Sequence, residues 1–128
     1  MKENPKESDI AAYLIKRLKD YGGHARKVSW EGRSDAPDYL IMACGYSAFV
    51  ETKAPGKKPR PSQLREFELM EKSGGTVVYV VTTEAEVDVL VNLFRFPALS
   101  PKMAKLDYKR FMRTGNEAEM EKHKNPDA

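Results

Sequence analysis

Three residues of this sequence, Asp38, Glu51 and Lys53, could share one piece of chemistry. Two carboxylates are the protein ligands that a hard cation such as Mg²⁺ completes with waters and substrate phosphate oxygens. A cation held that way polarises a phosphate and lowers the pKa of an attacking water. A lysine beside it orients the water or stabilises the negative charge that develops. Glu51 and Lys53 are two residues apart, which on a strand places them on one face ~7 Å from each other. Strand-end acids and Glu-x-Lys pairs are also common surface features without function. The elements that position the three residues therefore decide.

Asn4-Pro5-Lys6-Glu7 predicts a helix start: a side-chain acceptor, a proline suited to the first turn, and a glutamate able to reach back to the cap. Ile10, Leu14 and Leu18 follow as a buried stripe, and Gly22-Gly23 ends the helix. Three strand-like runs come next, at His24–Trp30, Asp38–Ala43 and Ser47–Lys53, the last two joined by a Cys44-Gly45-Tyr46 turn. Alternation sets Asp38, Leu40 and Met42 on one face and Phe49, Glu51 and Lys53 on one face of the neighbouring strand. The hairpin brings both carboxylates to the same end. Ala54–Pro61, with three prolines and a glycine, must be a loop. A second helix begins at Pro61 or Ser62, points Leu64, Phe67 and Met70 inward and stops at Gly74-Gly75. Thr76–Thr82 reads as a buried strand, and Thr83-Glu84-Ala85-Glu86 as a capping box opening a third helix on Val87, Leu90, Val91 and Phe94. The expected fold is α/β, an α-β-β-β-α-β core whose last strand returns through a crossover helix parallel to its neighbour. That gives a mixed central sheet flanked by helices.

The chain's 128 residues, 41% hydrophobic and 32% charged, fit one domain at residues 1–96, with residues 97–128 as a polar, partly disordered extension. Twenty-two basic against 19 acidic residues leave a net charge of only +3, so any anionic partner must be recognised locally. The single cysteine, Cys44, excludes an internal disulfide and a cysteine-based zinc cluster, and His24 and His123 lack ligand-spaced partners. Apolar runs such as Val77–Val81 are far short of a membrane span of ~20 residues. The expectation is a soluble protein of the cytoplasm of a bacterial or phage-infected cell.

The segments Trp30-Glu31-Gly32-Arg33-Ser34-Asp35-Ala36-Pro37-Asp38, Phe49-Val50-Glu51-Thr52-Lys53-Ala54-Pro55-Gly56-Lys57-Lys58-Pro59 and Pro61-Ser62-Gln63-Leu64 resemble the VRR-NUC family, the virus-type replication and repair nucleases of the PD-(D/E)xK superfamily. The resemblance runs from about Glu7 to Val91 and includes gap lengths, the loop glycine and the glutamine. It implies a restriction-endonuclease-like fold, metal ligation by Asp38, Glu51 and the backbone carbonyl of Thr52, and a catalytic Lys53. It also implies supporting roles for Glu7 and Gln63. On physical grounds Glu7 could instead close a capping box, or contact the metal through water. Gln63, on the sheet-facing side of its helix, needs a partner such as Lys53, a water or a phosphate. Asp35 stands where the family usually has glycine, and adds an acid near the metal site.

Between Glu51 and Glu66 there is no acid, while Lys53, Lys57, Lys58, Arg60 and Arg65 accumulate. Such a loop suits a phosphate backbone, and Arg26, Lys27 and Arg33 extend it. Trp30 could stack on a base or pack in the core. The function that follows is a Mg²⁺- or Mn²⁺-dependent DNA endonuclease selecting junctions, flaps or nicks. The competing reading is a DNA-binding module that keeps the fold without cutting. Similarity to junction resolvases implies a homodimer on branched or duplex DNA, with Leu93, Phe94, Phe96 and Leu99 as candidates for its surface.

Overall fold

The structure, a computed structural model, describes residues 4–95. The expected extension at 97–128, and Phe96 and Leu99, lie outside the described residues. Element order matches the expectation: α1 (Glu7–Lys19), β1 (His24–Lys27), β2 (Tyr39–Ala43), β3 (Tyr46–Thr52), α2 (Pro61–Gly74), β4 (Val78–Val81) and α3 (Glu84–Arg95). The four strands lie in the order β1-β2-β3-β4. The first two pairings are antiparallel and β3 pairs with β4 in parallel, which makes the sheet mixed.

The sheet separates two environments. Alternation turns Ile41, Ala48, Val50, Tyr79 and Val81 toward α1 and α3, where they meet Ile10, Leu14, Leu18, Val87 and Leu90 in one apolar core. Leu93 and Phe94 are buried in it as well, which removes both as candidates for a dimer surface. Tyr13 and Arg17 of α1 donate to Asp88 of α3, at 2.7 and 3.0 Å, and lock the two helices together. The opposite face carries Phe49 and Glu51 and is covered by α2 through Phe67 and Gln63, the helix's two buried residues. Leu64, expected inside, is 49% exposed. Once Gln63 and Phe67 face the sheet, a residue one step past Gln63 is turned ~100° away from it.

The hairpin turn has two residues, Cys44 and Gly45, both at positive φ (55° and 83°), while Tyr46 already pairs with Ala43. Two successive positive φ values define the type I′ geometry that matches strand twist. At α1 the N-cap is Lys6, and Asp9 accepts from the Lys6 N–H at 2.8 Å. The helix therefore starts two residues later than the Asn4-Pro5 signal suggests. Glu7 is at its first position, not the third of a capping box. At α3 the expected cap is present: the Glu86 N–H donates to Thr83 Oγ1, and the Glu86 carboxylate reaches back to the Thr82 N–H. No helix among the described residues is long and apolar enough to cross a membrane.

Phe67 is the one large apolar side chain that α2 buries. Phe67→Ala should therefore destabilise the protein by ~3–5 kcal/mol in urea melts. A loss below ~1 kcal/mol would mean that the loops hold α2 in place.

Candidate metal centre

The end of β3, the residue before β2 and the first turn of α1 converge. Glu7, Asp38 and Glu51 each bring a carboxylate oxygen to within 4.8 Å of the others. Each arrives by a different local device. Asp38 precedes β2 and directs its carboxylate at the neighbouring strand: Oδ2 accepts both the Thr52 N–H and the Thr52 hydroxyl, each at 2.9 Å. The antiparallel register, continued past Tyr39↔Val50, sets Pro37 opposite Thr52. Proline has no N–H to give, so the ladder offers no backbone donor there to the Thr52 carbonyl. In the continued register Asp38 stands opposite Glu51 at the end of the β2–β3 ladder, while its carbonyl still accepts from the Val28 N–H. The sequence gives no sign that the Thr52 side chain would hold Asp38.

Glu51 is 1% exposed. Its Oε2 accepts from Gln63 Nε2 at 2.8 Å and faces Lys53 Nζ at 3.2 Å. Its Oε1 is buried with no hydrogen-bond partner among the described residues. Burial, followed by the charge of Asp38, pushes the Glu51 carboxyl above its usual value of 4.5, and Lys53 and Gln63 offset only part of this. A buried acceptor left unmade is costly, and three carboxylates close together repel. A divalent cation satisfies both conditions at once, since it takes oxygen ligands and cancels the charge. The residues present fit such an ion.

Gln63 has two tasks. Its Oε1 accepts from the Arg60 N–H at 3.0 Å, which closes the start of α2, and its amide nitrogen holds Glu51. Glu7, released from capping, is half exposed and lies 4.0 Å from Lys53 Nζ. Lys53 therefore stands between two of the three acids, as its place two residues beyond Glu51 suggested.

The loop before Asp38 is pinned by residues expected to act otherwise. Arg33, expected on the DNA surface, binds Asp35 through both ends of its guanidinium, at 3.1 and 2.7 Å, and approaches Glu66 at 3.4 Å. Asp35 is accordingly held below the usual carboxylate range and stands outside the acidic cluster, so it adds no ligand. Its φ is not positive either; Gly32, at 75°, supplies the left-handed residue of that turn. Trp30 donates from Nε1 to Glu66 at 2.7 Å and meets Phe49 edge to face at 6.2 Å, a packing role rather than a stacking platform. Glu66, which joins these residues to α2, carries no sequence signal beyond ending the acid-free stretch. Of the expected basic surface, Arg60 donates to the Ser34 carbonyl at 2.8 Å and Arg26 to that of Ala25 at 3.0 Å. Lys57, Lys58 and Arg65 are exposed, with no side-chain partner among the described residues.

An α/β fold whose mixed sheet ends in an acidic cluster beside a lysine defines the class. No family model matches the sequence. The chain is 39% identical over 74 residues to a protein named "Putative nuclease p44" from Acyrthosiphon pisum secondary endosymbiont phage 1, a match covering 57% of this chain and 80% of that protein. It is also similar to a solved structure described as a VRR_NUC domain, with 42% identity and a TM-score of 0.61 over 66% of this chain and 92% of the other. The chain belongs to the VRR_NUC family.

Glu51→Gln removes the repulsion and gives the orphaned position a donor. The metal-free variant should melt a few degrees above wild type, about 1 kcal/mol. Because the native carboxyl has a raised pKa, wild type loses stability as pH climbs from 4.5 through that raised value. The advantage of the variant should therefore be larger at pH 7 than at pH 4. An equal or lower melting temperature at pH 7 would show that Glu51 is not strained without metal.

Proposed function

We propose that this protein is a metal-dependent DNA endonuclease that hydrolyses phosphodiester bonds with Mg²⁺ or Mn²⁺ and selects junctions, flaps or nicks. The observation that carries this reading is the buried, partnerless Oε1 of Glu51 inside a cluster of three carboxylates. Membership of the VRR_NUC family supports it. Asp38 and Glu51 would hold the ion, with the Thr52 carbonyl and Glu7, directly or through water, completing the protein's share. When bound, the ion would polarise a phosphate oxygen and acidify a water.

The chain's own residues do the rest. Lys53 places a positive charge 3.2 Å from Glu51, where negative charge on a phosphate would build up. Gln63 fixes the Glu51 carboxylate by its amide, and Thr52 fixes that of Asp38. Lys57, Lys58 and Arg65, with Lys27 and Arg26 across the site, would bind the DNA backbone, so affinity should fall steeply with salt. We infer that the active species is a homodimer acting in the cytoplasm, because two sites related by a twofold axis suit paired incisions on a branched substrate.

Labelled flaps, forks, four-way junctions and linear duplexes incubated with full-length protein and Mn²⁺ test the reading. Wild type should cut at least one of them, and Lys53→Ala should be slower by ~10²–10³. Asp38→Ala should lose Mn²⁺ binding in calorimetry. Identical products from wild type and Lys53→Ala on every substrate would leave a DNA-binding module as the better account. Light scattering should give a mass near twice 14.5 kDa; a monomer at working concentration would remove the dimer.

A further inference from the structure

Beside the acidic cluster lies an open pocket of about 330 Å³, with Glu7, Asp38 and Thr52 along one side. The remaining lining is of a different character. Ala11 of α1, Val28, Ala36 and Pro37 give it an apolar wall, Tyr39 adds a phenol and Ser8 a hydroxyl, and Lys27 brings an ammonium. Lys27 has no side-chain partner among the described residues. An occupant must therefore lie against the carboxylates, offer a flat apolar part to the wall and carry an anionic group to Lys27. A nucleotide joined to a phosphate at the acidic cluster meets all three conditions: its base and sugar take the wall, and its next phosphate takes Lys27. The volume is at the low end of the ~300–1,000 Å³ of small-molecule sites. It admits one nucleoside and is too small for a base pair with both sugars. Aromatic and apolar walls accept any base, because every base has a π-face.

We propose that this pocket holds a single unpaired nucleotide adjoining the scissile phosphate, so that the protein cuts where a base is free of its partner. The inference rests on the nuclease reading above and gives its substrate a defined local feature.

The test uses full-length protein and two duplexes that differ only in whether the nucleotide at the cut is paired or mismatched. Wild type with Mn²⁺ should cut the mismatched duplex about tenfold faster, the effect of one charge-assisted contact plus an avoided unpairing. Ala11→Leu, which fills the pocket, should reduce that preference below about threefold, the free-energy equivalent of ~0.7 kcal/mol. Thymidine monophosphate, titrated with Ca²⁺ to prevent turnover, should shift the NMR resonances of Ala11, Val28 and Tyr39. Lys27→Ala, an exposed change that serves if Ala11→Leu fails to fold, should weaken that binding about tenfold. Equal cutting of the two duplexes, full preference in a folded Ala11→Leu, or a nucleotide that leaves those resonances unmoved would overturn the pocket while the nuclease reading stands. Nucleotide binding in the pocket with no cleavage of either duplex or of any flap, fork or four-way junction would overturn the nuclease reading instead.

Discussion

The burial of Glu51 organises this molecule. A carboxylate that is 1% exposed cannot be stabilised by water, so every neighbour that makes it tolerable is under constraint. Gln63 must bring an amide from α2, which fixes where that helix starts, and Lys53 must bend its ammonium back along the strand. One oxygen still lacks a partner. A site with that defect is poised for a ligand that can supply positive charge in a dry setting, and its local stability is lower for want of it.

The second constraint is where the sheet stops. The β2–β3 register runs out at Pro37, which has no N–H for the Thr52 carbonyl, and the Asp38 carboxylate accepts the Thr52 N–H there. One acid of the cluster is thereby tied to the backbone of the strand that carries the other. Glu7 arrives from the opposite face of the sheet, on a helix whose cap is made by Asp9 and so leaves Glu7 free. Asp38 is held by Thr52 and Glu51 by Gln63 and Lys53, while Glu7 faces Lys53 alone, so the three carboxylates are close without a hydrogen bond between them, which suits a shared cation.

The surroundings divide into charges already committed and charges left over. Arg33, Asp35, Glu66 and Trp30 fasten the loop before Asp38 to α2 and to Phe49, so their polarity serves rigidity. Lys57, Lys58 and Arg65 have no such task among the described residues and remain available to a polyanion. The distinction matters because a charged residue in a basic stretch contributes to long-range attraction only when no neighbour neutralises it.

The sequence by itself determined element order, the mixed sheet and the acid-lysine set, because periodicity, caps and turn residues are local and the Asp38 to Lys53 spacing is that of a hairpin. It also carried the family resemblance. Tertiary structure decided what depends on residues far apart in the chain. Whether Glu7 closes a capping box turned on which residue of the first turn became the N-cap. Whether Arg33 has a partner within the protein turned on Asp35 and Glu66. Leu64 is exposed because helical spacing fixes which residues share a stripe but not which stripe meets the sheet; the bond from Gln63 to Glu51 chose it. The orphaned oxygen of Glu51 was invisible for the same reason. Burial is a property of what packs around a residue, and no local pattern states it.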